Sequence, residues 1–262
     1  MIGLPKHPGT RNEIGILGYQ QKYFDAIQKH HKVILNKSRK IGATETALRS
    51  IAYNCFGRYE GHNVMMVAGN RQSQAIEFLD RFCSLFDNGF FDLSGKKYSF
   101  SDIIPYRRRT EVRFWNETRV TTYPALPSSL RGPQNVICVY ISEAAFIDSH
   151  DDSKVYDALH PNIANIEDAD FIIESTPNGR RGFFHDLFTS ENEYCKLEQP
   201  HSLALGKLIS KTFIESERKN PKIDFEQEYC CKFTTSANAV FKSEDIKWGS
   251  GKFTDYRDLL GH

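Results

Sequence analysis

Residues 34–50 read ILNKSRKIGATETALRS. The apolar run VILN (33–36) has the composition of a short buried strand. TETALRSIAYNCF (44–56) carries Ala47, Ile51 and Cys55 at i, i+4 and i+8, with Leu48 adjacent, which predicts a helix with one apolar face. A basic, glycine-bearing turn joins the two. A strand, a turn and a helix are the setting in which the phosphate-binding pattern G-x-x-x-x-G-K-[ST] works. Laid over Lys37–Thr44, KSRKIGAT keeps the second Gly as Gly42 and the hydroxyl as Thr44. Lys37 stands where the first Gly belongs, and Ala43 where the Lys belongs. A helix N-terminus binds anions through free N–H groups and its dipole. Lys37, Arg39 and Lys40 add three cations, and Thr44 offers a hydroxyl suited to Mg²⁺. Lysine is long and flexible, so one at the front of the loop reaches the same phosphates as one at its end. The same letters also suit a plain basic turn kinked at Gly42.

Outward from this turn, apolar runs alternate with helical periods. NVMMVAG (63–69) reads as a strand and QSQAIEFLDRFCSLF (72–86) as a helix. EVRFW (111–115) and TRVTTYP (118–124) flank Asn116-Glu117 as the arms of a β-hairpin. NVICVYIS (135–142) is the most apolar run, a central strand, and FIIES (171–175) is another. This alternation predicts an α/β fold, with a mostly parallel central sheet flanked by helices. Ligands of such sheets bind beyond the carboxyl ends of the strands, where the remaining motifs fall.

VICVYISEAAF (136–146) ends a buried strand in Ser142-Glu143, where an acidic pair would hold magnesium and orient water. Glu143 suits the second task, and Ser142 the first only weakly or through a water. The plainer reading is a strand ending in a solvated Glu. FIIESTPNGRRGFF (171–184) runs from a strand into a turn fixed by Pro177 and Gly179. Thr176 and Asn178 are placed there to meet a γ-phosphate, or simply to complete a βα turn. Arg131 lies in LPSSLRGPQ (126–134), a loop just before the Glu143 strand, and alone would count as a surface arginine. The basic run YRRRTEVRFW (106–115) suits phosphate backbone or a solvated face.

The totals narrow the class. The 262 residues suffice for one large domain, or a domain with a small appendage. With 34 basic and 33 acidic residues the net charge is +1, so any basic surface is local. No apolar run approaches the roughly 18 residues of a membrane span. The N-terminus lacks a signal-peptide core. The six scattered cysteines form no C-x-x-C pair, which fits a reduced, cytoplasmic setting.

Taken in order, these segments resemble the ATPase half of the large terminase subunit of tailed bacteriophages and related proviruses, the motor that packages DNA into proheads. The resemblance covers about residues 15–246. GYQQKYFDAIQKHHKVILNKSRKIGAT is similar to the family's opening, VYISEAAF to its acidic strand, and STPNG followed by FF to its coupling motif. LRG also has its place ahead of the acidic strand, and FEQEYCCKFTTSANAVFKSEDI (225–246) resembles the run towards its nuclease. The resemblance implies a P-loop NTPase of ASCE type, with residues 1–212 as the ATPase domain and 213–262 as a helical linker segment. It implies ATP and Mg²⁺ as ligands. Gln20 would read adenine, with Gln21 as fallback. Lys37, Ser38, Arg39, Lys40, Ile41, Gly42, Ala43 and Thr44 would form the phosphate loop, with Lys37 its lysine. Thr44 and Ser142 would hold the metal, with Ser142 in place of the family's Asp. Glu143 would orient water, Thr176 and Asn178 would sense the γ-phosphate, and Arg131 would act on a neighbouring subunit's ATP. Implied partners are double-stranded DNA, the portal protein, the small terminase subunit and further copies in a ring, a pentamer, in the host cytoplasm and transiently on the prohead. Glu244, Asp245, Asp255 and Asp258 fall in a short polar tail, so nuclease activity is not expected of this chain. A nucleotide-binding module without hydrolysis is the alternative that Ser142 raises. A helicase would call for a second such domain.

Overall fold

Buried strands with side chains pointing alternately up and down need two covered faces, and the chain supplies both. The computed structural model describes residues 4–7, 9–92, 94–148 and 150–234. Helix α1 (Gly18–Lys29) precedes strand β1 (Lys32–Lys37), which enters the loop and helix α2 (Ala43–Cys55). Strand β2 (Asn63–Ala68), helix α3 (Gln72–Ser84) and short strands β3 (Phe90–Phe91) and β4 (Lys97–Tyr98) follow. After the one-turn helix α4 (Phe100–Ile103) come β5 (Tyr106–Arg107), β6 (Glu111–Arg113) and β7 (Arg119–Tyr123). Next are α5 (Pro127–Leu130), β8 (Val136–Ser142), α6 (Asp152–Leu159), β9 (Asp170–Ser175), α7 (Gly182–Thr189) and β10 (Cys195–Gln199). The last described helices are α8 (Lys211–Lys219) and α9 (Phe225–Cys230).

Eight strands form one sheet in the order β10-β1-β9-β8-β2-β7-β6-β5. From β10 to β7 the neighbours run parallel, and β6 and β5 extend one edge antiparallel. The expected hairpin is β6–β7, with Val112 opposite Val120 and Glu117 in a left-handed turn at φ 64°. Its second arm also pairs in parallel with β2, which joins hairpin and main sheet.

Val33, Leu35, Val64, Met66, Cys138, Tyr140 and Ile172 belong to a core shared with α1, α2 and α3. Ile34, Met65, Val67, Val139, Ile141, Phe171 and Ile173 belong to a second core shared with α6 and α7. Burial on both faces is why these strands read as unbroken apolar runs. Each fully buried side chain of this size contributes about 1.5–3 kcal/mol. Ile214, Phe225 and Tyr229 join the first core, so α8 and α9 pack on the body that carries the loop.

A charged cluster closes the amino end of the sheet. Asp170, at the start of β9, is fully buried and accepts hydrogen bonds from the Tyr59 hydroxyl and the Arg58 guanidinium. A ring nitrogen of His31 lies 3.1 Å from the same carboxylate. Burial pushes the Asp170 pKa up, against the Tyr59 hydrogen bond and the Arg58 charge. The cluster ties the turn after α2 to β9. No helix among the described residues is long and apolar enough to cross a membrane.

Candidate nucleotide-binding site

The loop at 37–44 is built as a cradle. Lys40 (φ 62°) and Gly42 (φ 79°) are both left-handed, and successive turns of this hand point backbone N–H groups at one place. The first turn of α2 adds N–H groups with no partner inside the helix. The back of the loop is fastened to α1. The carbonyl of the buried Ile41 accepts from the Tyr19 hydroxyl at 2.8 Å and from Gln20 Nε2 at 3.1 Å. Gln20 Oε1 in turn accepts from the Leu17 amide at 3.0 Å. Glycine suits the positive φ of position 42, and a Cβ there would stand 2.5 Å from Gln20 Nε2, so the end of the Gln20 side chain would have to shift. Ser38 is buried, and its amide donates to the Gln199 carbonyl on the edge strand at 2.9 Å.

The whole run Lys37 to Glu45 lines one cleft of about 1140 Å³, together with Gln20, Glu143, Arg49 and Arg81. Leu4, Pro5, Lys6, Arg11 and Ile14 also line it. Lys37 is buried in the cleft and its Nζ reaches Glu143 Oε1 at 2.6 Å, whereas Lys40 is exposed. Arg39, also on the cleft wall, pairs with Glu228 of α9 at 2.9 Å.

Glu143 follows the last residue of β8 with φ 55°, a left-handed backbone. A continuing strand would aim it at the α6–α7 face. This backbone takes it out of the alternation, and its carboxylate, 46% exposed, meets the loop instead. A non-glycine residue held there costs about 1–3 kcal/mol, the kind of strain that collects at functional sites. The amide of the buried Thr176 faces Glu143 Oε2 at 3.5 Å, and the Thr176 hydroxyl has no partner among the described residues. Asn178 Nδ2 donates to the Ala145 carbonyl at 3.0 Å, which ties the Pro177 turn to the segment after Glu143.

Ser142 pairs in register with Glu174 on β9. Both lie on the α2 face, and Glu174 meets Thr44. The Thr44 hydroxyl donates to Glu174 Oε1 at 2.6 Å, and the Ser142 hydroxyl lies 3.3 Å from the same oxygen. Glu174 is fully buried and its Oε2 is unbonded among the described residues. The buried Tyr140 hydroxyl stands beside the carboxylate without a hydrogen bond of ordinary geometry. Burial pushes the Glu174 pKa up, and the Lys37 charge and the Thr44 hydrogen bond oppose it. Glu174 was overlooked in the sequence, although a Glu inside an apolar strand is itself a signal. Arg81 is a second omission. It lines both the main cleft and an adjoining recess of about 520 Å³ that holds Ser142 and Glu143.

Helix α9 clasps the loops from behind. Its Glu228 carbonyl accepts from the Arg39 amide at 3.1 Å, its Gln227 side chain accepts from the Gly179 amide at 2.8 Å, and the carbonyl of Cys231, just past the helix, accepts from Asn36 Nδ2 at 2.8 Å. Arg131 stands apart from the cleft. It is exposed, on a base held by Asn162 Nδ2 donating to the Leu130 carbonyl at 2.9 Å. Of the residues expected from the sequence, Gln20, the loop from Lys37 to Thr44, and Glu143 share the main cleft. Ser142 borders it, Thr176 lies beneath Glu143, and Asn178 braces its loop.

The fold is that of large terminase ATPase domains. The ATPase domain of the Thermus phage P74-26 large terminase is 16% identical, with 81% of this chain and 93% of that one covered at a TM-score of 0.59. A large terminase from a thermophilic bacteriophage is 11% identical, with 84% of this chain and 54% of that one covered at a TM-score of 0.66. It is also solved with ADP and with ATP-gamma-S. The bacteriophage HK97 large terminase is 12% identical, with 87% of this chain and 52% of that one covered at a TM-score of 0.69. The chain thus spans about half the length of these last two proteins. At these identities the likeness shows a shared P-loop NTPase fold. No curated protein matches the sequence. The family model for the terminase large subunit, T4likevirus-type, N-terminal, matches residues 34–248. That span takes in the described strands from β2 to β10, and the chain belongs to this family of terminase large subunits.

Proposed function

We propose that this chain hydrolyses ATP to drive double-stranded viral DNA into a prohead. The observation that carries the reading is the meeting of Lys37 and Glu143, 2.6 Å apart, at the carboxyl edge of a parallel sheet beside a left-handed N–H cradle. The phosphates of ATP would rest on the amides of residues 40–44 and on Lys37, and Gln20 would face the adenine. A γ-phosphate would compete with Glu143 for Lys37. The Glu143 carboxylate, released, would then orient the attacking water. Thr176, under Glu143, would register the γ-phosphate and pass its presence through the Pro177 turn with Asn178. Arg131, outside its own cleft, would reach the ATP of the next subunit in a homo-oligomeric ring, a pentamer.

The residues present fit a magnesium ion. The unbonded buried oxygen of Glu174 and the hydroxyls of Thr44 and Ser142 converge below the cradle. When bound with ATP, Mg²⁺ would neutralise charge developing on the β- and γ-phosphate oxygens. Thr44 would be its ligand from the loop, with Ser142 acting through a water. Portal protein, small terminase subunit and DNA are the partners this role requires, in the host cytoplasm.

A steady-state ATPase assay with Mg²⁺ and double-stranded DNA tests the proposal. Turnover that rises with DNA and disappears in Glu143→Gln supports it. Nucleotide binding without turnover in the native chain would leave a binding module in its place.

A further inference from the structure

Position 142 is where a strand-end carboxylate would hold the metal, and it carries a serine. A carboxylate is nevertheless present at that point of the sheet, supplied by the neighbouring strand. β9 lies between β1, which leads into the loop, and β8, which leads into Glu143. Period-two alternation puts Ser142 on the α2 face with Cys138 and Tyr140, and Glu174 on the same face with Ile172. Register then sets Ser142 and Glu174 side by side. Adjacent strands are roughly 4.8 Å apart, and Glu is longer than Asp by one C–C bond, roughly 1.5 Å. The added reach partly offsets the move by one strand.

The contacts agree. Thr44 Oγ1, the loop hydroxyl, bonds Glu174 Oε1 at 2.6 Å. Ser142 Oγ approaches the same oxygen at 3.3 Å. Oε2 is buried and makes no hydrogen bond of ordinary geometry among the described residues, although the Tyr140 hydroxyl stands beside the carboxylate, and an unmet buried oxygen is an expensive state for a carboxylate. Lys37, the cation whose charge acts on it, is bonded to Glu143 instead. A buried carboxylate with a spare oxygen, beside a loop hydroxyl and under a phosphate cradle, calls for a cation. Mg²⁺ bound with nucleotide takes one or two carboxylates and completes its shell with phosphates and waters, so the absence of a larger acidic cluster among the described residues is no obstacle.

We propose that Glu174 supplies the magnesium-binding carboxylate that Ser142 does not, so that the metal site is assembled from Thr44, Ser142 and Glu174 across two adjacent strands. The proposal rests on the nucleotide-binding reading above and adds a residue to it.

Mn²⁺ is the probe, titrated by electron paramagnetic resonance into protein saturated with ATP-gamma-S, with nucleotide affinity measured separately in EDTA. Glu174→Gln keeps the shape and an acceptor for Thr44. It should weaken Mn²⁺ by about 10–100-fold and leave metal-free nucleotide affinity unchanged. Adding Ser142→Asp to that variant should restore Mn²⁺ affinity, a rescue that a merely structural Glu174 would not give. Unchanged Mn²⁺ affinity in Glu174→Gln, or no rescue by Ser142→Asp, overturns the proposal. Should Glu174→Gln fail to fold, Ser142→Asp alone serves. Its facing carboxylates should lower the melting temperature of the free protein, and Mn²⁺ with ATP-gamma-S should raise it by more than in the native chain. A rise no larger than the native one overturns the proposal. If the native chain binds no nucleotide in EDTA, the nucleotide-binding reading falls and this proposal with it. If it binds nucleotide and only the metal result fails, the nucleotide reading stands.

Discussion

Lys37 Nζ and Glu143 Oε1 stand 2.6 Å apart, joining the front of the loop after β1 to the residue that follows β8. The lysine is buried and the glutamate is half-exposed. In the proposed function a phosphate would compete for the lysine, and the pair makes the first two predictions.

Glu143→Gln should bind ATP at least as tightly as the native chain, because the carboxylate no longer competes for Lys37. Turnover should fall by at least about 100-fold, the usual contribution of a positioned base. Equilibrium binding of a fluorescent ATP analogue and single-turnover hydrolysis measure the two effects. Weaker binding together with normal turnover would reverse the assignment.

Lys37→Ala should weaken ATP more than Lys40→Ala does. Both line the cleft, but Lys37 is buried in it and Lys40 is exposed. Loss of one charged hydrogen bond costs about 1.5–3 kcal/mol, which is roughly 10–100-fold in Kd. Lys40→Ala should change Kd by less than about threefold, a surface effect. The opposite order would move the phosphate lysine to position 40.

Arg131 is exposed and outside its own cleft, so its effect should appear only between subunits. Arg131→Ala should leave ATP affinity unchanged and slow assembled turnover by up to about 10³–10⁵-fold, the range of such arginines. Mixing Arg131→Ala with Glu143→Gln chains should recover part of the activity. Absence of recovery at every mixing ratio would assign Arg131 to its own subunit or to structure.

Gly42→Ala should harm the loop in two separable ways. A left-handed non-glycine residue costs about 1–2 kcal/mol, and the new Cβ would collide with Gln20 Nε2. Gln20→Ala removes the collision and leaves the backbone strain. The double variant should therefore lose less stability than the sum of the single ones, as neighbours in contact do. Urea unfolding reads the coupling, and strict additivity would show that Gln20 swings clear.

Arg58→Ala tests the cluster at the other end of the sheet. Burial holds the Asp170 carboxyl above its ordinary range, and Arg58 opposes that rise. Without Arg58 the carboxyl rises further. An acid with a folded pKa above its unfolded one binds its proton more tightly when folded, so stability is greatest below the unfolded value and is lost as pH climbs towards the folded one. The variant should lose stability at neutral pH, by less than the cost of about 3–5 kcal/mol for a wholly unpaired buried charge because Tyr59 and His31 still meet the carboxylate, and by less again in mildly acidic buffer. Equal losses at both would mean that Asp170 is not charged in the native protein.

How far the sequence could be read depended on what each residue had to bury. β1, β8 and β9 are covered on both faces, so apolar runs betrayed them, and the turn after β1 gave the loop with Lys37 at its front. β10 escaped because an edge strand is half solvated, and CKLEQ mixes apolar and polar residues accordingly. In α1, Tyr19, Tyr23, Ala26 and Ile27 mark a buried face, but Gln20, Gln21, Lys22 and Asp25 between them dilute the apolar signal. Glu174 escaped for a different reason. Its meaning depends on register with Ser142, a relation between segments about thirty residues apart that no local pattern carries. The late run from Phe225 was read as a connector because its contacts, Arg39, Gly179 and Asn36, lie far away in the chain. The part of that run beyond Thr234, and the acidic residues of the tail, lie outside the described residues.

Helix α9 touches the phosphate loop through Glu228 and the Pro177 turn through Gln227, one residue apart. In the proposed cycle, occupancy of the loop and release of the γ-phosphate would therefore both reach the same six-residue helix. A helix gripped at two adjacent points would take up both inputs together, so that what it passes on would depend on both loops at once.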